Sequence, residues 1–142
     1  MPIAPARLSD AESLFEMTCA LSLDGPPTRD AFNAQFVEVL RGDCSVALVA
    51  TAVTEDAVVG YAVGAVVPMP IYAGGAAFLQ ELYVHADHRR GGVGTALVDG
   101  FTDWAAERGA TRLVLATSRA GAFYESIGFT TRAQFYQRPI GR

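Results

Sequence analysis

The chain is 142 residues long, 51% apolar and 18% charged, with a formal net charge of −4. That length suits one domain folded around a single core, so residues 1–142 are read as one domain with no second one required. The composition excludes a disordered chain, and the negative balance argues against a nucleic-acid partner held through phosphate neutralisation.

Residues 3–8 are a strand candidate ending at Ser9-Asp10-Ala11-Glu12, a capping-box pattern that starts a first helix with Leu14, Met17, Thr18 and Leu21 on its inner stripe. Asp24-Gly25-Pro26-Pro27 breaks that helix. Thr28 caps a second, in which Phe32, Phe36, Val39 and Leu40 recur at helical spacing up to Arg41-Gly42. Residues 45–53 and 57–67 are valine-rich and separated by Thr54-Glu55-Asp56, which reads as a hairpin closed by Pro68-Met69-Pro70. A fourth strand spans about residues 76–85. A glycine-rich turn leads from it into a helix with Val93, Leu97, Phe101 and Trp104 on one face and Gly109 as its stop. Residues 113–116 form a fifth strand, residues 119–126 a short helix, and residues 129–138 a closing strand. The order is that of an α/β fold.

The turn Arg89-Arg90-Gly91-Gly92-Val93-Gly94 has the chemistry of a phosphate site. Glycines let backbone approach a ligand, arginines add positive charge, and the free amides of a helix N-terminus face an anion. A nucleotide-triphosphate loop requires a lysine, and the chain has none. A dinucleotide fingerprint requires a third glycine where Leu97 stands, and it usually opens its domain.

The remaining pattern, Arg89-x-x-Gly92-x-Gly94, resembles the Gln/Arg-x-x-Gly-x-Gly/Ala signature of the GCN5-related N-acetyltransferase (GNAT) superfamily. Downstream, Ala120-Gly121-Ala122-Phe123-Tyr124-Glu125-Ser126-Ile127-Gly128-Phe129 is similar to that superfamily's Ala-x-x-Phe-Tyr-x-x-x-Gly-Phe element. The resemblance is close over the C-terminal half and rests on pattern alone over the N-terminal half. It implies a mixed central sheet of about six to seven strands flanked by helices, splayed between the fourth and fifth strands. The pantetheine arm of acetyl-CoA would lie in that gap. The implied activity is acetyl transfer from acetyl-CoA, with no metal, to a primary amine of unknown identity. A catalytically silent acetyl-CoA sensor of the same fold is the alternative, and an intact turn and Tyr124 count against it.

The reaction needs a neutral nucleophile, a polarised carbonyl and a protonated leaving thiolate. An alkylamine is about one part in a thousand neutral at pH 7, so its deprotonation costs roughly 4 kcal/mol. A carboxylate facing the gap would take that proton, and Glu81 is the acidic residue of the fourth strand. Strand alternation puts Glu81 on the face opposite Gln80 and Leu82, whereas a bulge, frequent in the superfamily at this strand, would flip the parity. A rim carboxylate is the competing reading.

The resemblance places Leu82, Tyr83 and Val84 against the pantetheine, with a backbone amide near Val84 polarising the carbonyl. Tyr124 matches the tyrosine that protonates the departing thiolate. The amides of Gly91, Gly92, Val93, Gly94, Thr95 and Ala96 would hold the pyrophosphate, with Arg89 and Arg90 beside them and the Thr95 hydroxyl in support. Thr117 stands where many relatives carry a cofactor-binding asparagine, and Ser118 is the substitute.

Cys19 and Cys44 have no Cys-x-x-Cys spacing and no histidine nearby, so inert or buried thiols are expected. Residues 1–7 lack the basic lead and apolar core of a signal, and no run approaches 18 apolar residues, so a cytoplasmic protein with no membrane partner is expected. Phe135-Tyr136-Gln137-Arg138 could join an exposed edge in a homodimer, and an internal strand explains it equally well.

Overall fold

A computed structural model describes residues 1–141; Arg142, the last residue of the span read as one domain, lies outside the described residues. The elements run β1 (Ile3–Pro5), α1 (Ala11–Leu21), α2 (Arg29–Arg41), β2 (Ser45–Ala52), β3 (Ala57–Val67), β4 (Ala76–Val84), α3 (Val93–Glu107), β5 (Leu113–Val114) and α4 (Gly121–Ser126). One open sheet carries the five strands in chain order, antiparallel from β1 to β4 and parallel between β4 and β5. Alternation along these strands presents two apolar faces, and helices cover both. Leu14, Met17 and Phe36 of α1 and α2 pack on Ala47, Val49 and Tyr61. Val93, Leu97, Val98 and Phe101 of α3 pack on Leu48, Val59, Ala62 and Leu79.

Gly64 of β3 makes room for the second of these layers. A Cβ there would come within 2.3 Å of the Phe101 ring and 2.5 Å of the Phe78 carbonyl oxygen. Phe101 is fully buried and stacks on Trp104 at 5.6 Å between centroids. Thr28 caps α2 as its sequence suggests, its hydroxyl accepting from the Ala31 amide at 3.1 Å.

Three expectations are corrected. The described sheet has five strands rather than six or seven, because residues 129–138 form no strand. A strand there would have only the two-residue β5 to pair with, and so short a ladder does not offset the entropy of ordering the segment, ~1–2 kcal/mol per residue. Phe135 and Tyr136 are consequently 73% and 83% exposed. At the first helix, Ser9 does not cap: residues 8–10 form a single 3₁₀ turn, and the Asp10 carboxylate accepts from the Arg7 amide at 2.8 Å. Cys44 is exposed rather than buried, and Cys19 is half-buried.

Candidate active site between the fourth and fifth strands

Pairing between β4 and β5 is confined to Ala77 with Leu113 and Phe78 with Val114, although β4 continues to Val84. The strands therefore part, as the resemblance implies. At the point of parting β4 carries a bulge: Val63 faces Glu81 and Gly64 faces Leu79, so Gln80 is the extra residue. Before it, Ala77 and Leu79 point to the α3 layer; after it, Leu82 and Val84 do, while Tyr83 joins the α1 and α2 layer. The bulge thus turns Glu81 toward α1.

Beyond the bulge the ladder is regular. The His85 amide donates to the Val59 carbonyl at 2.7 Å, so the neighbouring Val84 backbone faces away from β3, and by alternation so does that of Leu82. The Val84 carbonyl accepts from Arg89 Nε at 2.9 Å, which leaves the Val84 amide directed at the gap.

A cavity of about 230 Å³ opens there, walled by Leu79 to Leu82, by Ala116 to Ala120, by Leu21 and Leu23, and by Tyr124. Glu81 and Tyr124 thus share one cavity. Glu81 Oε1 accepts from the Tyr61 hydroxyl at 2.8 Å, and that hydroxyl accepts from Thr18 Oγ1 at 3.1 Å. Burial, and then the negative charge of Glu81, push the Tyr61 phenol far above its ordinary value. Tyr124 is 8% exposed, packed edge-on against Phe123 and Phe129, and burial raises its phenol as well.

The turn between β4 and α3 begins with a 3₁₀ turn over Ala86–His88, then places Arg90 at φ 70° and Gly92 at φ 84°. Gly92 is required by that left-handed conformation, since a Cβ there would meet no atom within 4 Å. Gly94 is favoured by contact, because a Cβ there would stand 3.2 Å from the Phe123 ring and push it back by a few tenths of an ångström. The glycines thus permit a sharp turn and the close seating of α4 on the start of α3. No side chain caps α3, and no acidic residue stands in its first turn, so the positive helix end is open to an anion.

The Ala96 amide is already engaged, donating to the Gly92 carbonyl at 3.0 Å, so the first-turn amides free of the helix ladder end at Thr95. Val93 is buried at 3%, which leaves only its backbone to a ligand; Thr95 is half-buried and Gly91 exposed. Arg89 and Arg90 are both exposed, and the Arg89 guanidinium also lies over the Tyr83 ring at 5.4 Å. His88 Nε2 stands 3.2 Å from Glu55 Oε2, fastening the turn to the β2–β3 hairpin.

Across the gap, the Thr117 hydroxyl accepts from the Ala120 amide at 3.0 Å and so shapes the start of α4, while Ser118 lies exposed in the cavity wall. Sequence reasoning missed the link from Thr18 through Tyr61 to Glu81. Its one signal was a lone polar-tipped aromatic inside a strand of valine, alanine and glycine. Leu23 and Arg119, also wall residues, carried none. Among the described residues no group of three or more His, Cys, Asp or Glu side chains could hold a metal ion, and no helix is long and apolar enough to cross a membrane.

Known proteins share both sequence and architecture with this chain. The sequence profile of the Acetyltransferase (GNAT) family matches residues 12–129. Aminoglycoside N(6′)-acetyltransferase type 1 of Klebsiella aerogenes is 32% identical over 148 residues, covering 97% of this chain and 96% of the relative. The solved structure of AAC(6′)-Iy with the bisubstrate analogue CoA-S-monomethyl-acetylneamine superposes with a TM-score of 0.78 at 20% identity, over 98% of both chains. That of ribosomal-protein-alanine N-acetyltransferase from Brucella melitensis biovar Abortus 2308 gives a TM-score of 0.76 at 26% identity, over 99% of this chain and 100% of the other. With the profile spanning most of the sequence and a relative of this identity matching nearly end to end, the chain belongs to the GNAT acetyltransferase family and transfers an acetyl group from acetyl-CoA to an amine.

Proposed function

We propose that transfer is direct and takes place in the cavity between β4 and β5, with Glu81 as general base and Tyr124 as general acid. The observation that carries this reading is the presence of both side chains in the wall of one cavity at the parting of the strands. The amine nitrogen attacks the thioester carbonyl carbon, and its C–N bond forms as the C–S bond breaks. Glu81 takes the proton from nitrogen, directly or through a water, and Tyr124 donates to the departing sulfur. The outward amide of Val84 polarises the carbonyl without a side chain, and the Leu82 and Tyr83 backbone continues the same edge. The first-turn amides from Gly91 to Thr95, with Arg89, Arg90 and Ser118, hold the phosphates and the adjoining part of coenzyme A.

Glu81 is the one carboxylate among the wall residues, and Arg119 stands in the same wall. This supports an acceptor that brings a single cationic amine flanked by apolar carbon against Leu21 and Leu23. The acceptor named for the Klebsiella relative makes a 6′-amino aminoglycoside the first comparison. Release of coenzyme A thiol is measured with that aminoglycoside, an alkylamine, amino acids and a peptide N-terminus. Thiol release with at least one amine is expected. Glu81→Gln is expected to lower kcat by about 10²- to 10⁴-fold and Tyr124→Phe by tenfold or more, both binding acetyl-CoA as before. Wild-type kcat in either variant removes that residue from the chemistry.

Residues 1–142 are further proposed to work as one cytoplasmic domain, engaging neither nucleic acid nor membrane, and to pair with a second copy. The exposure of Phe135, Tyr136 and Ile140, and the position of the two-residue β5 at the sheet edge, support the pairing. Sedimentation should report a dimer that becomes a monomer when the chain is cut after residue 131, which leaves Phe129 against Tyr124, and a cut chain that still sediments as a dimer contradicts it.

A further inference from the structure

The Glu81 carboxylate is held by a phenol that the core immobilises. Tyr61 lies on β3 opposite Tyr83, and Val63 lies opposite Glu81, so the contact at 2.8 Å runs diagonally across the strand pair. It exists only because the bulge at Gln80 turns Glu81 onto the α1 face. The Tyr61 side chain is fully buried, and its hydroxyl has one hydrogen to give. Thr18 Oγ1 of α1 donates to the same oxygen, so that hydrogen is directed to Glu81. Three residues further along α1, Leu21 enters the wall of the cavity. A single chain of hydrogen bonds therefore joins the acceptor-side helix to the carboxylate.

We infer that Tyr61, aligned by Thr18, is a positioning residue for acetyl transfer: it tethers Glu81 Oε1 so that the other carboxylate oxygen is presented to the amine. The inference rests on Glu81 being the base. Burial keeps the Tyr61 phenol protonated, so it donates to Glu81 throughout the working pH range.

Tyr61→Phe removes only the oxygen, and Thr18→Val removes the group that aligns it. Both are assayed for thiol release with the fastest amine of the panel above, with kcat and the KM for acetyl-CoA determined separately. Tyr61→Phe is expected to lower kcat about tenfold with the acetyl-CoA KM within twofold. Thr18→Val is expected to lower kcat in the same way by less, and it carries the test if Tyr61→Phe does not fold. A Tyr61→Phe protein that loses only thermal stability, with kcat unmoved, overturns the inference and leaves Tyr61 a core residue. If Glu81→Gln keeps wild-type kcat, the base assignment fails and this inference with it. Loss of activity in Glu81→Gln beside an unaffected Tyr61→Phe overturns the inference alone.

Discussion

At the scale of single residues, the two buried phenols do different work although burial moves both in the same direction. A phenol whose ordinary value is near 10 is a weaker acid than a thiol near 8.5, and burial widens that difference for Tyr124. Its proton therefore stays on oxygen in the resting enzyme and, in the proposed mechanism, moves toward sulfur only as charge builds there during C–S cleavage. Tyr61 donates a hydrogen bond to Glu81 and keeps its proton. Both phenols hold their protons to higher pH in the folded chain than in the unfolded one, so above about pH 10 the folded state binds more protons and stability falls as pH rises. Below pH 10 both states are fully protonated at these sites and the two tyrosines contribute no slope. Thermal midpoints measured from pH 7 to 11 should show a decline beginning near pH 10 that is shallower in Tyr61→Phe. An equal decline in that variant contradicts the assignment.

Among the elements, β4 decides the site. Its bulge lets one strand serve two layers, giving Leu79 to the α3 side and Glu81 to the α1 side within two residues. Deleting Gln80 would leave each remaining β4 side chain on its present face while removing the kink at which β4 and β5 part. The shortened chain is expected to fold and to lose at least tenfold in kcat/KM for acetyl-CoA, measured by thiol release; full activity contradicts a role for the bulge. The bulge marks where the sequence stops being legible. Apolar periodicity located each helix and the first five strands to within a few residues, because burial on one face dictates that spacing. A bulge obeys no period, and only the partner strand reveals it. Gly94 shows the same limit: its spacing flagged the turn, while its contact with the Phe123 ring is visible only in three dimensions.

For the whole molecule, the donor half was readable and the acceptor half was not. Arg89 to Gly94 and Ala120 to Phe129 are local patterns, each set by one turn or one helix, and the fold joins them through Gly94 and Phe123 at a shared corner. The proposed acceptor side is assembled from Leu21, Leu23 and the reach of Tyr61, contributed by elements far apart in sequence, so no short motif could announce it. The C-terminal segment failed as a strand for a related reason: strand propensity needs a partner edge, and β5 offers two residues. The central claim, that acetyl transfer takes place at the parting of β4 and β5, is tested most directly by a crystal structure with acetyl-CoA bound. The thioester sulfur is expected within hydrogen-bonding reach of the Tyr124 hydroxyl, with the pyrophosphate on the amides from Gly91 to Thr95. A cofactor lying elsewhere, or one whose thioester points away from both Tyr124 and Glu81, would contradict it.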